Sequence, residues 1–149
     1  MILMIKILQV ISSMIYGGTE AYVMNNLRNI DLSEFKIDFY ITDIKYIEPN
    51  YINELKKYNA NIYYGINVNL KNYFKFKKDF LKVLKNGKYD GVHSHLNISN
   101  YKILRYSKKM KIPVRISHSH AIMENQSNLL RKIFYLYRRN IIKGFRCRN

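Results

Sequence analysis

Apolar runs of strand length alternate with stretches of helical period along most of the 149-residue chain. That order is the signature of stacked β-α-β units around a parallel sheet, so an α/β fold is the expectation. The first run, Ile2 to Ile11, is nearly continuous in apolar residues, as a central parallel strand covered on both faces must be. Only Lys6 and Gln9 interrupt it, and without a basic leader segment it reads as a buried strand rather than a signal sequence.

The rest of the chain follows the same rhythm. A loop with Gly17-Gly18 leads to a helix with Thr19 as its N-cap and Ala21, Met24 and Leu27 on its apolar side, stopped by Asn29 to Ser33. Phe35 to Ile41 is expected as the second strand, Tyr51 to Tyr58 as a short helix and Ala60 to Tyr64 as the third strand. Leu70 to Leu84 reads as a helix with Phe74, Phe80, Leu81 and Leu84 as its apolar stripe and Gly87 as its C-terminal cap. Tyr89 to His93 is a short fourth strand, Ser99 to Met110 a helix and Val114 to Ser117 a fifth strand entered through Pro113. Leu129 to Ile142 is expected as a last, very basic helix, and residues 144–149 carry no assignable pattern. No repeat or linker divides residues 1–143, which are taken as one domain of ordinary size.

Charge is informative when split. Residues 1–70 carry 6 Lys/Arg against 7 Asp/Glu, while residues 71–149 carry 20 against 3, a net +17 on the second half. Such asymmetry favours an anionic partner, whether nucleotide phosphate, phospholipid surface or nucleic acid. Nucleic acid ranks last, because no recognised binding module accompanies the charge. The Lys-rich helix with Tyr73, Phe74, Phe76 and Phe80, and the basic helix with Arg131, Lys132, Arg138, Arg139 and Lys143, read either as solvated faces or as surfaces for an anionic membrane. The one cysteine, Cys147, cannot close an intrachain disulfide, and no run approaches the roughly 20 apolar residues of a spanning helix. A cytoplasmic protein, peripheral at most to the inner face of the cell membrane, is the expectation.

Ligands of open parallel sheets bind beyond the carboxyl ends of the strands, and three such places are unusual here. Gly17 and Gly18 follow the first strand, His93-Ser94-His95 the fourth and His118-Ser119-His120 the fifth, so all four histidines sit at strand ends. The glycine pair allows close backbone approach, and the helix behind it offers free N–H groups and a positive dipole end to a phosphate; an ordinary tight turn is the plainer reading. The triplets admit three readings: a metal site, for which nearby carboxylates are sparse, structural histidines capping strand ends, or a polar rim facing sugar and phosphate.

Ile7-Leu8-Gln9-Val10-Ile11-Ser12-Ser13-Met14, Gly17-Gly18-Thr19-Glu20, Asn25-Asn26-Leu27 and Asp38-Phe39 together resemble the opening of the family-4 glycosyltransferases. Lys88 to His95 and Val114 to His120 are similar to later motifs of the same N-terminal domain, particularly in enzymes of capsule and exopolysaccharide biosynthesis. The resemblance spans about residues 2 to 143. It implies the N-terminal, acceptor-side half of a GT-B fold, a Rossmann-like three-layer α/β/α domain, and retaining transfer from a UDP- or GDP-sugar to a glycan or lipid-linked acceptor without a cofactor or essential metal. By position it implies that Gly17 and Gly18 approach the donor diphosphate, that His118 is catalytic beside the transferred sugar, and that Glu20, His93, His95, Ser119 and His120 line the cleft. The family's Glu-x7-Glu donor motif does not occur, so a C-terminal donor-binding domain, supplied as a separate chain or otherwise, is expected to be needed for transfer. The alternative expectation is a non-catalytic basic module that docks on an anionic membrane.

Overall fold

A computed structural model describes residues 4–120 of the chain. The basic helix expected at Leu129 to Ile142, the tail 144–149 and Cys147 lie outside the described residues. Five strands, β1 (Ile5–Ile11), β2 (Phe35–Ile41), β3 (Ile62–Tyr64), β4 (Gly91–Ser94) and β5 (Val114–Ser117), form one sheet. Between them run α1 (Gly18–Asn29), α2 (Pro49–Lys57), α3 (Tyr73–Gly87) and α4 (Asn100–Lys109), the last entered through a 3₁₀ turn at Asn97–Ser99. The strand order is β3-β2-β1-β4-β5 and every pairing is parallel. This is the Rossmann-like α/β arrangement, with the winding reversing between β1 and β4.

Strand alternation divides the core in two. Leu8, Val10, Tyr40 and Val92 point to the side covered by α3 and α4, where Phe76, Phe80, Ile103 and Tyr106 meet them. Ile11, Ile37, Phe39 and Ile41 point to the other side, under Val23, Met24 and Leu27 of α1 and Ile52 and Leu55 of α2. On the α3/α4 side Asp38, 3% exposed, is satisfied by the Tyr89 hydroxyl and by the backbone and side-chain amides of Asn61. A buried carboxylate without such donors would be strongly destabilising.

Several local expectations are corrected. The N-cap of α1 is Gly17 rather than Thr19, because the Gly17 carbonyl already accepts the Ala21 N–H at 2.9 Å. The buried face of α1 runs Glu20, Val23, Met24, Leu27, the i, i+3, i+4, i+7 rule of a helix, and Ala21 is exposed. In α3 the buried stripe is Phe76, Phe80, Val83 and Leu84, while Phe74 is 79% exposed. Phe74 lies six residues from Phe80, which puts it on another side of a helix with 3.6 residues per turn. The left-handed residue that closes α3 is Lys88 (φ 49°), not Gly87. Gly87 serves a steric purpose: a Cβ there would lie 2.0 Å from the Tyr89 ring.

Candidate functional site

The loop after β1 turns directly into α1. Gly17 caps the helix in extended conformation and no side chain satisfies the first-turn N–H groups, so they and the positive end of the helix dipole face the rim of the sheet. Glu20 folds back toward that end, with Oε2 2.6 Å from where a Gly17 Cβ would stand, and Ser13 donates its hydroxyl to Oε1 at 3.1 Å. Glycine at position 17 thus makes room for the Glu20 carboxylate. A Cβ on Gly18 would meet nothing within 4 Å, so this residue leaves open space over the helix end.

The four histidines form one cluster on the α1 side of the sheet. His-x-His spacing at the end of an extended strand puts both imidazoles of a triplet on the same face and the intervening serine on the other. The fourth and fifth strands are neighbours in register, His93 beside Ile116 and Ser94 beside Ser117, so the two pairs stand side by side. Ring centroids are 4.1 Å apart for His93 and His95, 4.3 Å for His118 and His120, and 5.3 Å for His95 and His118. Tyr22 of α1 covers the group edge-on, 4.8 Å from His118 and 5.6 Å from His120. The glycine loop, α1 and all four histidines therefore share one rim.

Hydrogen bonds order the cluster. His95 is 3% exposed; its Nε2–H donates to Gln9 Oε1 at 2.9 Å, which leaves Nδ1 to accept from His120 Nε2 at 2.8 Å. Gln9 is the polar interruption of the apolar first strand, and its Cα is paired with that of His93. Nε2 of His93 is buried with no hydrogen-bond partner among the described residues. His93, His95 and His118 each present a ring nitrogen, and the three atoms lie within 4.8 Å of one another, the one such group of potential metal ligands among the described residues.

Three of the imidazoles, those of His93, His95 and His120, are pushed toward the neutral form. Burial first, and then His118 and His120 nearby, push His93 down to about 4. Burial, followed by His93, His120 and His118, pushes His95 down to about 2. His120 is lowered by burial and by His118, against the opposing pull of Glu20. Neutral rings keep lone pairs available for a proton, a hydroxyl group or a metal ion.

Asn100, wholly buried at the start of α4, ties the two strand ends together. Its Oδ1 accepts from Ser94 Oγ at 2.6 Å and the Leu96 N–H at 2.7 Å; its Nδ2 donates to Ser117 Oγ at 2.8 Å and the His118 carbonyl at 3.0 Å. Asn97 Oδ1 receives the His120 N–H and the Ser119 hydroxyl, so Ser119 is held in the loop beside the rings. A crevice of about 190 Å³ opens beyond the ends of β1 and β4, with Ser12, Thr42, Asn67, Val68, His95 and Leu96 in its walls. It sits at the topological switch point, where parallel sheets take their ligands.

Each of the eight candidate residues lies on this rim. Gln9, Tyr22, Asn97 and Asn100 join them and were not singled out from the sequence. Gln9 carried a signal as a lone uncharged polar residue inside an apolar strand; Tyr22, Asn97 and Asn100 carried none. Neither a protein-family model nor a curated protein matches the chain significantly.

Proposed function

We propose that the chain is the acceptor-side domain of a retaining, family-4-like GT-B glycosyltransferase, taking a nucleotide-sugar donor and a glycan or lipid-linked acceptor in surface-polysaccharide assembly. One observation carries the reading: the uncapped start of α1 and the imidazole cluster converge on one rim, with Tyr22, four residues beyond Gly18, against His118. In this reading the donor diphosphate lies over Gly17 and Gly18, where first-turn N–H groups attract an anion. Ser13 keeps the Glu20 carboxylate to one side, and His118 faces the transferred sugar. The crevice between β1 and β4, lined by hydroxyl and amide groups, takes the acceptor.

A second Rossmann-like domain has to supply the other wall, because stabilisation and positioning of the transition state need both. The test is a transfer assay in which this chain is fused to or mixed with a matching donor-binding domain, with UDP- and GDP-sugars as donors. His118→Ala is expected to lower kcat by about 10²- to 10³-fold, the usual cost of one stabilising group. Unchanged turnover removes His118 from its role, and robust transfer by the 149 residues alone removes the need for a second wall.

A second reading, docking on an anionic membrane, draws on Leu70 (88% exposed) and Phe74 (79% exposed) beside the exposed Lys71, Lys75 and Lys78. It loses Phe76 and Phe80, both fully buried. No described helix is long and apolar enough to cross a membrane. Co-sedimentation with anionic vesicles that falls as salt rises supports docking, and its absence ends that reading.

A further inference from the structure

We propose that His93, His95 and His118 form a binding site for one borderline-soft divalent transition-metal ion, Zn²⁺ or its neighbours Co²⁺ and Ni²⁺. The inference goes beyond the transferase reading and stands or falls without it.

The three rings stand within reach of one ion. Three nitrogens within 4.8 Å of one another all lie within about 2.8 Å of a common point (4.8 Å divided by √3), against about 2.0–2.1 Å for a Zn–N bond. Closing that gap takes ring movements of roughly 0.7 Å, well within side-chain torsion on a fixed backbone. The backbone is in fact fixed, since Asn100 ties the end of β4 to the end of β5 through four hydrogen bonds.

The surroundings of the rings also suit an ion. A metal-bound histidine nearly always gives its other ring N–H to a carbonyl or carboxylate, which fixes the tautomer. Gln9 Oε1 takes the Nε2 proton of His95 in this way, turning the Nδ1 lone pair into the cluster. On metal binding that lone pair passes from the His120 N–H to the ion. His93 contributes a buried Nε2 that has no partner among the described residues, an atom whose burial is otherwise uncompensated.

The donor set selects among ions. Imidazole ligands without carboxylates suit Zn²⁺, Ni²⁺ and Cu²⁺ and not Mg²⁺ or Ca²⁺, which demand oxygen. Three protein ligands leave a fourth tetrahedral position for a solvent or substrate oxygen or for His120, whose Nε2 lies 2.8 Å from His95 Nδ1.

The site is tested on the untagged full chain with Cys147→Ser as background, which removes the single thiol; the four histidines of the chain are then its only imidazole donors, with no thiolate to compete. Titration with Co²⁺ is expected to give the visible absorption of a tetrahedral ion, saturating at one equivalent and displaced by Zn²⁺. His93→Ala and His118→Ala are each expected to abolish saturable binding. Gln9→Leu is expected to weaken it by about 10- to 100-fold, as loss of an orienting partner does. Circular dichroism checks that each variant is folded. Should a histidine variant unfold, the unaltered chain still decides, because bound Co²⁺ must shift the imidazole proton resonances of these three residues. No saturable uptake, uptake that survives His118→Ala in a folded variant, or unshifted imidazole resonances overturns the proposal. Sugar transfer is not read in any arm, so failure here and failure of the transferase reading remain distinct.

Discussion

A single row across the sheet, Phe39 on β2, Gln9 on β1 and His93 on β4, holds two kinds of interior side by side. To one side of Gln9, Phe39 joins Ile11, Met24, Ile41 and Leu55 in a layer closed by α1 and α2, each of these residues without exposed surface. To the other side the same face carries His93, His95, His118 and His120 under Tyr22, with a buried nitrogen left unpartnered. Both halves are covered by α1, so the difference is chemical rather than topological. The first half is an apolar layer; the second is a cluster of imidazoles in which His95 is hydrogen-bonded to Gln9 and to His120.

The largest effect should come from breaking the apolar half. Phe39→Ala removes a fully buried ring, and large-to-small core substitutions of this kind cost about 3–5 kcal/mol, partly through the cavity left behind. Urea denaturation is expected to show the midpoint falling to the point where much of the stability of a domain this size is gone. A loss below about 1 kcal/mol, the range of a surface change, would mean that the layer under α1 and α2 is not the stabilising half.

The apolar half was also the more legible one. β2 falls at Phe35–Ile41 as expected, because a segment rich in β-branched and aromatic residues between turn-forming stretches reads as a strand even where Lys36 and Asp38 break the apolar run. Faces of helices were harder. Phe74 and Phe76 are both aromatic and both within the periodic stretch, and only the packing of α3 against Tyr40 and Tyr106 decides that Phe76 goes in. On the polar half, residue type and position after a strand located the glycines, Glu20 and the histidines. Their convergence was implicit in the His-x-His spacing, which keeps each pair on one face of extended chain. Gln9 and Asn100 stayed hidden because their meaning lies in partners 86 and 17 residues away, at His95 and Ser117.

A smaller effect separates the halves by pH. His93 titrates at about 4 and His95 at about 2 in the folded chain, against about 6.5 for an unperturbed imidazole. Below 6.5 the unfolded chain takes up protons that folded His93 and His95 refuse, so the stability these two groups contribute is complete above that value and is lost as pH falls through 6.5 toward 4 and below. Denaturation midpoints are therefore expected to drop across this window, by less than the Phe39 loss because the rim is partly open to solvent. The decline should flatten when all four histidines are replaced by glutamine. An equally steep decline in that variant would place the titration in the carboxylates instead.

The smallest effect on stability is also the most discriminating. His93→Leu keeps side-chain bulk in the row beside Gln9 while removing a nitrogen that is buried without a partner. Replacing an unsatisfied polar group by an apolar one of similar shape is neutral or slightly stabilising, about 0 to 1 kcal/mol. The measurement belongs in the presence of a chelator, where no ion adds to the stability of the unaltered chain. Under those conditions the variant should melt at or above the temperature of its parent, and the order should reverse when Zn²⁺ is supplied, because only the parent retains the full ligand set. A loss of more than about 2 kcal/mol in chelator would mean that His93 holds the fold as Phe39 does. The two halves would then differ in polarity alone, and the case for a site kept at the expense of stability would fall with that result.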